Sequence, residues 1–373
     1  MSFSALGLSS SLIEACGFAE PTLIQREAIP AIIKGRDVLG IARTGSGKTA
    51  GYLMPLLQCL EDSSGAEHRE PVVLILVPTR ELADQVNHVA RKFLIALSSP
   101  LRCRAVFGGV SINRQMQEMG RVDLLVATPG RLLDLVRKNA VRLSAVKTLV
   151  LDEADKILNL GFKKEISELL NLVPKERQTL LFSATMSPTL VDELSEPVVI
   201  KIESPEKEKA LINQVAYVVT DERRGPFLRY LIKSGDLPQV LVFVSSTLSG
   251  DRVLNKLTKN GISAALIHSK MSQGGRRESL AAFQSGEVRV LVATDLLARG
   301  IDIQGLPCVI NYELPRSPKD YVHRIGRTGR ADSSGEAISL ITQDECHHFK
   351  VIQKKMGKRV EVLDGSEVNL HGY

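Results

Sequence analysis

The chain has 373 residues, 44% of them hydrophobic and 24% charged, with a formal net charge of +6. At roughly 100–200 residues per domain this length predicts two domains or one large one, and halves of that size can each bury a core without disulfides or metal. Five scattered cysteines without a C-x-x-C pair argue against a disulfide framework and a zinc site. Apolar runs such as 72–77 are far too short to span a bilayer.

Short apolar runs alternate with longer helix-like stretches. In chain order, 37–41, 72–77, 103–107, 124–127, 148–151, 179–183 and 198–202 read as strands, with helices such as 80–97 and 162–172 between them. Continuous Val/Leu/Ile runs suit strands buried on both faces of a parallel sheet, and the alternation with helices suits a doubly wound α/β domain. A charged, Pro-containing stretch at 203–210 reads as a linker. The rhythm restarts at 240–244, 264–268, 288–293, 308–312 and 337–341, giving a second domain of the same class over 211–360 and an irregular tail over 361–373.

The net charge biases the chain towards an anionic partner. An aromatic content of 4% with no Trp favours contact with a nucleic-acid backbone over stacking on bases. The N-terminus lacks the basic start and apolar stretch of a signal peptide, so a reducing cytoplasm is the expected location.

ARTGSGKT, at 42–49, follows a predicted strand and opens a predicted helix, the context a phosphate-binding loop requires. The backbone N–H groups of Thr44, Gly45, Ser46 and Gly47 are placed to wrap a phosphate, helped by the helix N-terminus. Lys48 reaches the β- and γ-phosphates, and the Thr49 hydroxyl suits Mg²⁺. Alone, the segment also reads as a Gly-rich turn. Asp152 and Glu153 close the predicted strand 148–151, at the edge where open α/β sheets bind ligands. Asp152 suits Mg²⁺, and Glu153 is the candidate base for an attacking water. Alone, this pair also reads as a solvated acidic turn. HRIGRTGR, at 323–330, places Arg327 and Arg330 where both can reach one anion in a forked grip. The basic cluster Lys354, Lys355, Lys358 and Arg359 reads first as a solvated helix face.

Taken in order, these motifs resemble the DEAD-box RNA helicases over roughly residues 2–360, and the signature itself stands at Asp152-Glu153-Ala154-Asp155. The resemblance implies two tandem RecA-like domains, spanning 1–205 and 211–360, each a mostly parallel sheet with helices on both faces. It implies ATP with Mg²⁺ as cofactor and RNA as partner, held by its backbone with little sequence preference. In GFAEPTLIQ, 17–25, Phe18 would pack near the adenine and Gln25 would bond its edge. Thr79, Arg80, Gly108, Gly109, Thr128 and Arg131 in the first domain, and Gln273, Arg276 and Thr294 in the second, would contact RNA. Thr294 and its neighbour Asp295 would lie near RNA or the domain interface. Ser183 and Thr185 would bond back towards the DEAD carboxylates, with Asp155 and His323 coupling the domains. Asp302 would lie near the ribose, and Arg327 and Arg330 would be arginine fingers supplied by the second domain. FGGVSINRQM, LVATPGRLLDLVRKNAV and QVLVF look most similar to the bacterial RhlE-type branch. Lys156-Ile157 after the signature and His268-Ser269 depart from the common pattern. The resemblance further implies a monomer without membrane attachment, serving ribosome-assembly or RNA-decay proteins.

Overall fold

The computed structural model describes residues 2–42, 45–62, 70–185, 188–202, 212–235, 237–295, 303, 305–329 and 334–373. The chain divides into two units, Met1–Ser204 and Pro205–Tyr373. The division falls inside the predicted linker, whose residues 203–210 lie outside the described residues.

In the first unit the strands are β1 (Val38–Ile41), β2 (Val73–Leu76), β3 (Cys103–Val106), β4 (Leu124–Ala127), β5 (Thr148–Leu151), β6 (Gln178–Ser183) and β7 (Val198–Lys201). They form one sheet in the order β3-β4-β2-β5-β6-β1-β7, with every pairing parallel. The reason lies in the side chains. Val73 and Ile75 join the apolar cluster on one face, and Leu74 and Leu76 join the cluster on the other. A strand with two apolar faces is stable only when helices cover both, and parallel crossovers supply them. Helices Leu23–Ile33, Lys48–Asp62 and Arg80–Ala96 pack on the first face. Helices Pro129–Arg137, Ala154–Asn159 and Lys163–Leu172 pack on the second.

The second unit repeats the plan with β8 (Ile212–Val218), β9 (Val240–Val244), β10 (Ala264–Ile267), β11 (Val290–Thr294), β12 (Cys308–Asn311), β13 (Gly335–Ile341) and β14 (Glu361–Asp364). Their order is β10-β11-β9-β12-β13-β8-β14, again parallel at every described pairing. In β9, Val240, Val242 and Val244 face one cluster while Leu241 and Phe243 face another.

Two features differ from expectation. The run 212–218, which is not among the predicted strands, is β8, paired to β13 along its whole length, with Asn213 and Gln214 breaking its apolar pattern. The stretch 361–373 is not wholly irregular. Glu361–Asp364 pairs with Val215–Val218 as an edge strand exposed at all four residues. A short strand that buries no side chain fully leaves only a weak apolar signature, and it forms on the free edge of β8. Beyond it, the Arg223 guanidinium donates to the carbonyls of Gly365, Ser366 and Val368 at 3.2, 3.1 and 2.7 Å. Tyr373 packs edge-on against Tyr230 at 5.3 Å between ring centres.

At the amino end of the first sheet, buried Asp37 ties three segments together. Its carboxylate accepts from Thr179 N and Ser195 N, both at 2.7 Å, and its carbonyl accepts from Val198 N at 2.8 Å. Removing the carboxylate strands two backbone donors, at about 1–3 kcal/mol each. Asp37→Ala is therefore expected to destabilise the first unit by about 2–4 kcal/mol, read as a lower urea midpoint by far-UV circular dichroism. Asp37→Asn, which keeps one acceptor, should lose about half as much.

Candidate nucleotide-hydrolysis site

Parallel pairing aligns the carboxyl ends of the strands. Ile41 lies beside Ser183, and Leu76 and Leu181 flank Leu151. The segments that follow β1, β2, β5 and β6 therefore leave the sheet at one edge, and these segments carry the predicted phosphate and nucleic-acid motifs.

After β1 the loop turns through Gly45 (φ 79°) and Gly47 (φ 90°), left-handed conformations that favour glycine. At Gly47 a Cβ would also stand 2.7 Å from Gln25 Nε2 and 2.9 Å from Thr22 Oγ1. This close approach lets Gln25 Nε2 donate to the Gly47 carbonyl at 3.1 Å, while Gln25 Oε1 accepts from Thr22 N at 2.9 Å. Gln25 thus caps its own helix and holds the loop. Phe18 is more than half exposed, at 53%. Lys48 opens the helix Lys48–Asp62, buried, with Nζ donating to the Ala42 carbonyl at 2.6 Å. Burial lowers its pKa, opposed chiefly by the charges of Asp152 and Glu153. Ser46 and half-buried Thr49 follow Gly45 and precede that helix's second turn; Thr44 lies outside the described residues.

After β5, Asp152 is buried and accepts twice: from Glu153 N at 2.8 Å and from the Tyr52 hydroxyl at 2.9 Å. Tyr52 is fully buried against Phe182, and burial together with Asp152 raises its pKa well above the usual range. It therefore stays a donor. Sequence reasoning missed Tyr52; the available signal was its position one helical turn after Lys48, on the same face. Glu153 has φ 51°, ψ 44°, and its Oε1 meets Lys156 Nζ at 2.6 Å. Burial pushes the carboxyls of Asp152 and Glu153 upward. Lys48 opposes this most at Asp152, and Lys156 opposes it most at Glu153. Glu153 Oε2 and Asp155 Oδ1 are buried with no hydrogen-bond partner. At the end of β6, Ser183 Oγ accepts from the Asp155 backbone N at 3.3 Å rather than meeting a carboxylate, and just beyond it Thr185 Oγ1 donates to Asp155 Oδ2 at 3.2 Å.

The oxygen chemistry suits a hard divalent cation. Three carboxylates, from Asp152, Glu153 and Asp155, surround Lys48 with one further cation, Lys156. Two of their oxygens, Glu153 Oε2 and Asp155 Oδ1, are buried without a hydrogen-bond partner.

The other predicted contacts of this unit divide into two kinds. Thr79 caps the helix Arg80–Ala96, accepting from Leu82 N at 3.2 Å, which leaves its O–H donor available. Gly109 has φ 80°, and a methyl there would overlap the Arg80 guanidinium, so glycine is what lets that arginine lie across the loop beside Gly108. Arg131 turns its fork inward: both terminal nitrogens donate to the Val110 carbonyl at 3.0 Å, and Nη1 donates to Gln115 Oε1 at 2.6 Å. Its guanidinium shapes the Gly-Gly loop, as Thr128, itself buried, begins the helix that carries it.

In the second unit, Ser272 caps the helix Gln273–Gln284. Arg276 is buried, with Nη2 donating to the Ser269 carbonyl at 2.5 Å, and Gln273 Oε1 is buried without a partner. Thr294 ends β11. Its neighbour Asp295 takes a bidentate pair from Arg324, at 2.5 and 2.8 Å. Arg324 is 2% exposed and also donates to Asn311 Oδ1 and the Glu313 carbonyl, with its guanidinium 4.9 Å from the Phe243 ring centre. This hub was missed: among the arginines of 323–330, sequence alone does not separate the one that points inward. Glu313 was missed too. Its carboxylate accepts from Ser245 N, Ser245 Oγ and Ser249 Oγ at 2.6, 2.5 and 2.6 Å. Burial would raise its pKa, but those donors win and hold it below the usual value. His323 is half-buried and Arg327 is buried. Asp302 and Arg330 lie outside the described residues.

Family models agree with this layout. Residues 22–194 match "DEAD/DEAH box helicase", and residues 225–332 match "Helicase conserved C-terminal domain". An ATP-dependent RNA helicase CshA of Limosilactobacillus reuteri is 38% identical over 362 residues, covering 95% of this chain and 72% of that protein. DEAD-box ATP-dependent RNA helicase 30 of Arabidopsis thaliana is 38% identical over 373 residues, covering 97% of this chain and 63% of that one. Among solved structures, a DEAD box protein from Methanococcus jannaschii is 35% identical with a TM-score of 0.55, covering 97% of this chain and 99% of that one. Dbp5 of S. cerevisiae bound to RNA and ADP BeF3 is 27% identical with a TM-score of 0.83, covering 98% and 96%. Two RecA-like units with the phosphate loop, acidic signature and HRIGRTGR in this order, and 38% identity along nearly the whole length, place the chain in the DEAD-box family of ATP-dependent RNA helicases.

Proposed function

We propose that the chain is an RNA-dependent ATPase that uses ATP hydrolysis to separate short RNA duplexes locally or to remodel RNA–protein complexes. The observation that carries this reading is the buried cluster at one sheet edge: Lys48 among the carboxylates, with Glu153 Oε2 unpartnered and available as a base. ATP sits on the loop 44–49, with Lys48 on its β- and γ-phosphates. The Gln25 amide has two N–H groups and two lone pairs; one of each is spent on Gly47 and Thr22, leaving one of each for the adenine edge. Phe18, exposed at the end of that segment, covers the base. Asp152 and Thr49 would hold Mg²⁺, which would supply charge neutralisation on the phosphates. Glu153 accepts the proton of the attacking water. Arg327 and Arg330 act on the γ-phosphate as fingers from the second unit, and Asp302 meets the ribose. Arginine here offers a planar fork to the transition-state charge.

RNA is held by its backbone, through Thr79, Arg80, Gly108, Gly109 and Thr128 in the first unit and Gln273, Arg276 and Thr294 in the second. Arg131 supports the Gly-Gly loop from beneath. Ser183, Thr185 and Asp155 relay the nucleotide state, and His323 serves the same coupling in the second unit. Backbone contact is blind to sequence, so little preference among RNAs is expected. The matched bacterial relatives carry the name CshA; an RhlE-type likeness rests on the three stretches near 107–116, 125–141 and 239–243. A cytoplasmic monomer working with ribosome-assembly or RNA-decay proteins completes the proposal, and no helix among the described residues is long and apolar enough to cross a membrane.

Three outcomes test the reading. Arg327→Ala should lower RNA-stimulated ATP turnover by about 10³–10⁵-fold in a stopped-flow assay, and a loss under about tenfold removes it from the finger role. Single-stranded RNA should stimulate the ATPase where DNA of the same sequence does not, if the contacts read the 2′-hydroxyl. Tyr52→Phe removes one donor to Asp152 and should lower turnover by about 10-fold while the fold is kept, checked against the parent's melting curve.

A further inference from the structure

We infer that Lys156 is a positioning residue for Glu153, fixing which carboxylate oxygen receives the proton of the attacking water. The inference rests on the reading of Glu153 as the base. Lys156 stands three residues after Glu153, in the first turn of the helix Ala154–Asn159. The turn is closed twice. Lys156 N donates to the Glu153 carbonyl at 2.8 Å, and Lys156 Nζ pairs with Glu153 Oε1 at 2.6 Å.

Both side chains are out of solvent, at 6% and 11% exposure, so water does not compete for the pair. A glutamate side chain otherwise has several rotamers, and a base that samples them is seldom aligned. Here one oxygen is occupied by an ammonium group and the other, Oε2, is buried and bare. The pair therefore divides the carboxylate into a held oxygen and a receiving oxygen. The backbone adds to this constraint: Glu153 adopts φ 51°, a conformation that a residue with a Cβ keeps only where its surroundings hold it. The neighbouring oxygens are already assigned. Asp152 accepts from Glu153 N and Tyr52, and Asp155 Oδ2 accepts from Thr185, so neither restrains Glu153's side chain. Among the described residues, Lys156 is the side chain that hydrogen-bonds it.

A positioning role differs measurably from a role in neutralising buried charge. In the full chain, with RNA and Mg-ATP saturating, K156M should lower kcat by about 10–100-fold, since misplacing a base removes part of what general-base catalysis supplies. KM for ATP and RNA affinity by fluorescence anisotropy should stay within about twofold. K156R, which keeps a cation in place, should stay within about fivefold of the parent. E153Q should be slower than K156M, and E153Q/K156M should match E153Q, because Lys156 acts only through Glu153. The proposal is overturned if K156M keeps kcat within twofold, or if the double variant falls below E153Q by the factor that K156M loses alone. If K156M does not fold, K156R and the double variant, in which both buried charges are gone, decide by the same comparisons: a K156R loss above tenfold overturns the proposal. An E153Q enzyme as fast as the parent would instead overturn the assignment of the base itself.

Discussion

Parallel pairing is the constraint on which the rest of this molecule depends. Every described strand pairing is parallel, so neighbouring strands are joined by crossovers that lay helices on the faces, and within each sheet the carboxyl ends of the strands point to the same edge. Motifs far apart in sequence, after β1, β2, β5 and β6, become neighbours without any loop having to reach across the fold. The apolar character of the strands is thus what assembles the polar site, because it forces helices onto both faces.

That edge then has to hold charge away from water. Asp152, Glu153 and Asp155 are buried with Lys48 and Lys156, and Tyr52 donates into the cluster from beneath. Burying charges is costly unless they are paired and hydrogen-bonded, and the pairing here is incomplete by two carboxylate oxygens. The filled valences, such as Gln25 on Gly47, keep the loop in shape.

The second unit handles its charges differently. Arg324 is sealed under Asp295, Asn311, Glu313 and Phe243, joining the ends of β11 and β12 to the helix Pro318–Ile325. The arginine-rich segment 323–330 thus contains at least one residue whose task is to fix the segment. Arg131 plays the same part in the first unit, where it braces the Gly108-Gly109 turn.

The sequence by itself determined much of this. The strands after which the chemistry sits are continuous apolar runs, and such runs are local properties. The phosphate loop, the acidic signature and their order are equally local, since glycines, a lysine and carboxylates must occupy fixed spacings for the chemistry to exist. The tertiary structure decided which polar groups are already spent. Arg324 and Asp295 lie 29 residues apart, Tyr52 and Asp152 lie 100 apart, and Gln25 reaches a carbonyl 22 residues away. Nothing in a residue's letter distinguishes an arginine turned into a core from one offered to a phosphate. Strand β14 exists for a similar reason: it buries none of its side chains fully and forms because β8 presents a free row of backbone donors and acceptors. Side-chain direction and edge pairing are consequences of packing, and packing is settled only when the whole sheet has closed around them.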